Sequence, residues 1–186
     1  MTFKEQYFWV KDSNLYTKSL RPIPLYIAGL RPLSAKLAGE EGDGFVINEL
    51  NVESIKNKLL PTVKEGTKRS GKDYDSLEKI LFIPASYDEN KDKALQSIRF
   101  WRGAMIKAFF EVEIHDPRII EENGKVIEDD TLEEILLVIS NGDEGIKKLK
   151  KYADLGFTEI VLTNSRANRE KLLNLIAEKI APEFKM

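Results

Sequence analysis

Four times along this chain a short apolar run gives way to a segment with helical spacing, and that alternation limits the fold more than any other feature. The runs are Pro24-Leu25-Tyr26-Ile27-Ala28, Gly44-Phe45-Val46-Ile47-Asn48, Ile80-Leu81-Phe82-Ile83-Pro84-Ala85 and Phe157-Thr158-Glu159-Ile160-Val161-Leu162. Short, largely continuous apolar runs are how strands covered on both faces of a parallel sheet read. Parallel strands separated by helices imply right-handed crossovers. The expected class is therefore α/β, with four parallel strands alternating with helices in one domain over 1–186. Residues 1–22 form an irregular lead-in, with a short hairpin near Tyr7-Phe8-Trp9-Val10. Pro22 and Pro24 then fix an extended entry into the first run.

The helices follow from spacing and punctuation. Pro32 suits a first helical position, where a missing N–H costs nothing, and Gly39 or Gly42 stops that helix. Val52, Ile55, Leu59 and Val63 mark a helix over about 51–69, kinked at Pro61. A helix over about 89–109 carries Ala94, Ile98, Trp101, Met105 and Phe109; residues 115–129 are a polar excursion, followed by a short helix near 130–138. Asn141 with Glu144, or Ser140 with Asp143, can cap the next helix, and Gly156 ends it. A last helix near 167–181 buries Leu172, Leu175, Ile176 and Ile180.

Composition removes several classes of function. Hydrophobic residues make up 42% and charged residues 32%, which places the chain among globular proteins. Lys+Arg 29 against Asp+Glu 31 leaves a net charge of −2, with no excess for a nucleic-acid or membrane-surface partner. Cysteine is absent, so disulfides, thiolate nucleophiles and zinc–thiolate sites are excluded, and the single His115 excludes a multi-histidine metal site. No apolar stretch approaches the ~20 residues of a membrane helix. The start carries no signal-peptide pattern, and the expected location is cytoplasmic. Abundant Lys, Glu and Ile without Cys is a compositional tendency of thermophiles.

Three segments in this order, "PLYIAGLRPLSAKLAGEEGDGF", "SYDENKDKALQSIRFW" with "HDP" at 115–117, and "GFTEIVLTNSRANREKLLNLIAEKIAP", resemble the luciferase-like superfamily of TIM-barrel oxidoreductases. The nearest branch is the one that uses the deazaflavin coenzyme F-420, such as glucose-6-phosphate dehydrogenase and methylenetetrahydromethanopterin reductase. The resemblance covers nearly the whole chain but only the second half of the family's barrel, so the four strands here correspond to strands five to eight. What it implies is the cofactor-binding half of an F-420-dependent, or alternatively FMN-dependent, oxidoreductase, incomplete for catalysis alone. The alternatives are a non-catalytic homo-oligomeric binding module and a folded remnant of such an enzyme.

The resemblance also carries residues over. In the family the loop after strand five lies along the cofactor's phosphate and ribityl chain, which assigns cofactor contact to Ala28, Gly29, Leu30 and Arg31. Glycine lets backbone approach an anion, and the following helix start adds a favourable dipole. Relatives often carry Gly where this chain has Arg31, which either adds a phosphate contact or fills the site. By itself one Gly-containing turn says little about ligands. The family's acid–base residues come from its first half, so no catalytic residue is assigned. The sugar-phosphate clamp falls on Asn48, Asn51, Glu111 and Ile135, none of them cationic, which argues against glucose-6-phosphate as substrate.

Other conspicuous residues have plain readings. Asp43 between two glycines and His115-Asp116-Pro117 read as turn chemistry. Phe100, Trp101, Phe109 and Phe110 read as core or interface rather than a flavin platform. The lysines at 147, 148, 150 and 151 read as a solvated face near a helix C-terminus. Half of a barrel leaves two open edges, expected at 24–28 and 158–162, and exposes barrel-interior side chains. Such a surface calls for a partner, either a second copy as a homodimer or a separately encoded N-terminal half-barrel.

Overall fold

The computed structural model describes residues 1–14, 16–164 and 168–184, with Lys107 and Phe110 described in the main chain alone. A small antiparallel hairpin, β1 (Phe3–Lys4) and β2 (Trp9–Val10), stands apart from the main sheet. The main sheet contains β3 (Tyr26–Ala28), β4 (Gly44–Ile47), β5 (Glu78–Tyr87), β6 (Leu137–Ile139) and β7 (Glu159–Thr163), all parallel. Both β4 and β7 pair with Ile80 and Leu81, so they occupy opposite edges of β5. The four expected strands thus lie side by side in chain order, β3-β4-β5-β7.

β6 is an addition, pairing with Ala85–Tyr87 at the C-terminal end of β5. The helix expected through 138 stops at Ile135, and Leu137–Ile139 is a strand buried on every residue. A three-residue apolar run has no period to distinguish it from the end of a helix.

The helices are α1 (Pro32–Glu41), α2 (Val52–Ser54), α3 (Leu60–Ser70), α4 (Lys91–Ile98), α5 (Pro117–Gly124), α6 (Asp129–Ile135), α7 (Gly142–Ala153) and α8 (Arg169–Leu175). α2 and α3 are joined by a π-helical turn, Ile55–Leu59, in which the Leu60 amide donates to the Ile55 carbonyl five residues back. Pro61 follows directly; its ring displaces the carbonyl four residues before it, and a widened turn absorbs that clash. The helix expected over 89–109 ends at Ile98 and continues as 3-10 turns over Arg99–Met105 and Lys107–Phe110. Gly103 there lies against Ile120 and Gly124, a crossing with no room for a Cβ on either glycine. The polar excursion supplies the other side of that contact as α5, so it is not irregular. Asn141 caps α7 by accepting from the Glu144 amide, and Gly156, at φ +88°, takes the left-handed turn that ends the segment. Residues 165–167, where the last helix was expected to begin, lie outside the described ones.

The sheet has one covered face. Phe45, Ile47, Leu81 and Ile83 point into the helical layer and are buried, packed with Ile55, Leu59, Val63 from the second helix and Leu172 and Ile180 from the last. α1 crosses α3 at Gly39 and Gly66, whose Cα atoms lie so close that a Cβ on either would overlap backbone. On the opposite face Val46, Ile80 and Val161 are half-buried and Phe82 is 36% exposed. The outer edges of β3 and β7 carry no strand among the described residues, the two edges expected for half of a barrel.

Candidate cofactor-binding site

Ligands of parallel α/β sheets sit at the C-terminal ends of the strands. Here β3 ends at Ala28 and Gly29-Leu30-Arg31 leads into α1 at Pro32. Gly29 donates its amide to the Val46 carbonyl at 3.1 Å, extending the β3–β4 pairing by one bond. A Cβ on Gly29 would overlap the Ser34 side chain, so the glycine is required by the helix packing against its own loop. Ser34 Oγ donates to the Arg31 carbonyl at 2.9 Å, and that carbonyl also accepts from the Ala35 amide at 3.0 Å. Arg31 is extended, at φ −116° and ψ 154°, as the residue before the helix.

The loop is open. Ala28, Leu30 and Arg31 are exposed and Gly29 half-buried. The first turn of α1 leaves the Leu33 and Ser34 amides without intrahelical acceptors, and Pro32 has no N–H to contribute. Arg31 and the positive N-terminal end of the ten-residue helix that follows it make this loop an anion-accepting corner. Gly29 takes part by letting Ser34 close under the loop.

Other residues at this end of the sheet are already engaged. Asn51 caps α2, accepting from the Ser54 amide at 2.9 Å. Asp88 accepts from Lys171 at 2.8 Å, and this bond holds its carboxyl below the usual range, with the Asn90 amide adding to it. Asn168 donates to Ser86 Oγ at 2.7 Å and to the Tyr87 carbonyl at 2.9 Å, and accepts from Ser97 at 2.6 Å. This buried net ties β5, α4 and α8 together where the strands end. Sequence reading missed it, because Ser86, Ser97 and Asn168 are far apart in the chain and no local pattern links them.

The remaining assignments resolve plainly. Of the positions read against the sugar-phosphate clamp, Asn48 and Glu111 are exposed and Ile135 packs against the smaller core cluster. His115 is 82% exposed on its side chain and 3.5 Å from Glu113, away from the strand ends. Asp116 caps α5 by accepting from the Arg118 amide, and Asp43 accepts from the Leu25 amide at 2.7 Å, both turn roles. Trp101 packs against the smaller cluster and Phe100 is 40% exposed beside it; the side chain of Phe110 lies outside those described. Lys148 departs from the solvated face expected of it, turning inward to the Val138 carbonyl at 2.7 Å. Among the described residues there is no cluster of three potential metal ligands, and no helix long and apolar enough to cross a membrane.

The chain resembles known proteins along its length. Residues 2–159 match the model of the luciferase-like monooxygenase family. An F-420-dependent glucose-6-phosphate dehydrogenase of Intrasporangium calvum is 30% identical over 98% of this chain and 55% of its own length. A Mycobacterium avium protein of the same name is 30% identical over 98% of this chain and 55% of its own. The structure of an F-420-dependent secondary alcohol dehydrogenase in complex with an F-420–acetone adduct superimposes with a TM-score of 0.91, covering 100% of this chain at 30% identity and 56% of that one. The F-420-dependent tetrahydromethanopterin reductase of Methanopyrus kandleri shares the fold, at 20% identity and TM-score 0.69. The chain therefore spans about 55% of the length of the curated relatives it matches. Its parallel sheet, helical layer and sequence together show that it belongs to the luciferase-like monooxygenase family.

Proposed function

We propose that this chain is the cofactor-binding half of an F-420-dependent oxidoreductase, with FMN as the alternative cofactor, and that it turns over only when completed by a second half-barrel. The observation that carries this reading is the anion-accepting corner at Ala28, Gly29, Leu30 and Arg31, placed at the C-terminal end of an edge strand. Support comes from the 0.91 superposition on an F-420-dependent enzyme over the whole chain. The amides of Leu33 and Ser34 and the Arg31 guanidinium would hold the cofactor's phosphate. A bound deazaflavin supplies hydride transfer. The chain's own contribution is to bind and orient, because its polar groups at the strand ends are committed to caps and ion pairs rather than to a proton shuttle.

That same commitment favours a second reading, a binding module without chemistry of its own. Calorimetric titration of the purified chain with coenzyme F-420 and with FMN tests the cofactor assignment. Micromolar binding that falls at least tenfold in Arg31→Glu is expected. Absence of binding to both, in a folded chain, would remove the site from this loop.

A further inference from the structure

The face of the sheet opposite the helices ends in an acidic floor. Tyr26, Gly44 and Glu78 are register partners at the first residues of their strands, and Glu159 begins β7 opposite Ile80 on the same face. The Tyr26 ring lies across Gly44, which has no Cβ to obstruct it, and its hydroxyl donates to Glu78 at 2.6 Å. Neither Glu78 nor Glu159 has a lysine or arginine paired to it among the described residues. Above the floor the face is apolar, through Val46, Ile80, Phe82 and Val161. Both flanking edges are open among the described residues, and beside β7 on the helical side lies a groove of about 830 Å³ lined by the partly buried Ile160, Leu162, Ile176 and Phe184.

Covering that face buries the floor. A buried carboxylate requires a cation and donors, and two carboxylates brought together without one repel strongly. A second copy closing the sheet by two-fold symmetry would pair β3 with β7 at both seams and set its own Glu78 and Glu159 against these. The Tyr26 hydroxyl, which donates to Glu78, has no second proton for another carboxylate. Resting on the half-barrel reading above, we propose that the open face is docked by a polypeptide that places a lysine or arginine on this floor, and not by a second copy of this chain. The docking end is the N-terminal end of the strands, opposite the cofactor corner, so the contact acts on assembly and leaves the cofactor corner untouched.

The test co-expresses the full chain with the part of the Intrasporangium calvum relative that lies outside the matched 55% of its length. The expected result is a one-to-one complex by size exclusion with light scattering. Glu78→Lys with Glu159→Lys should weaken it at least tenfold, Glu78→Gln with Glu159→Gln less, and Glu170→Lys on an exposed helix not at all; thermal midpoints of the variants alone verify that each folds. A complex equally tight after double charge reversal overturns the basic contact while leaving complementation standing. Absence of any complex overturns both. A wild-type homodimer that Phe82→Glu disperses overturns the proposal in favour of the second copy.

Discussion

Tyr26 donates to Glu78 at 2.6 Å across the intervening strand, over a glycine that has no side chain to block it. One bond thus spans three parallel strands on the uncovered face. It fixes the phenol as a donor: the bond to Glu78 raises the Tyr26 pKa above its ordinary value, with burial and the charges of Glu78, Glu159 and Asp43 adding to it.

Gly44→Val should break this arrangement. The new side chain would occupy the space of the Tyr26 ring. Overpacking of this kind costs about 1–3 kcal/mol. Removing the ring in Tyr26→Ala should restore most of that loss, so the double variant should be far from additive. Urea denaturation of the four proteins measures it; additive losses would mean the ring does not rest on Gly44.

Alkaline pH should destabilise the chain through Tyr152. This side chain is 3% exposed, donates to the Leu50 carbonyl at 3.1 Å, and is pushed up to about 12 by burial, with Glu49 adding to it. The folded value lies above the unfolded one near 10. Its contribution is therefore complete below about pH 10 and is lost as pH rises through about 12, a change of about 2–3 kcal/mol. Tyrosinate absorbance should lose a late-ionising component in Tyr152→Phe, beside those of the other tyrosines with raised values, and the variant's stability should fall less steeply with alkali. An unchanged alkaline limb would place the late ionisation elsewhere.

Much of this was legible in the sequence, for physical reasons. Pro32, Gly42, Asn141 and Gly156 act within a few residues of themselves, and each sits where its local chemistry puts it. The four strands are apolar on consecutive residues, a signal that needs no partner to be read. What escaped depends on contacts between distant residues. Tyr26 meets Glu78 only because the register is fixed, and one sequence does not contain a register. The long helix expected over 89–109 ends at Ile98 and goes on as 3-10 turns whose Gly103 meets Gly124, a contact between distant residues. β6 was too short to show a period. At the cofactor corner the loop's position was readable, but Gly29 proves to make room for Ser34, which spacing alone does not show.

Asn168→Ala should cost more than an ordinary polar substitution. The side chain is 9% exposed and makes its bonds to Ser86, Tyr87, Ser97 and Asn164 inside the structure. Leaving several of those groups unpaired costs about 2–3 kcal/mol. Ser97→Ala, which removes one acceptor bond to Asn168, should cost about 1 kcal/mol. Thermal denaturation ranks the two; equal losses would mean the net is held from another residue.

Acid should loosen the segment between α4 and α6 through Asp129. Arg99 donates to this carboxylate through two nitrogens, at 3.0 and 2.6 Å, and Arg102 adds a third bond. The bond from Arg99 holds the Asp129 carboxyl below its usual range. The folded value is below the unfolded one, so the contribution is present above about pH 4 and is lost as pH falls through the folded pKa. Arg99 is 40% exposed and Asp129 29% on their side chains, so screening holds the effect to about 1 kcal/mol. Asp129→Asn should show that loss already at neutral pH and a flatter decline below pH 4, with the residual acid sensitivity carried partly by Asp88. Limited proteolysis reads the location: cleavage between residues 99 and 129 should accelerate in the variant while the rest of the pattern stays the same. Acceleration spread over the whole chain would mean that Asp129 supports global stability instead of pinning this segment.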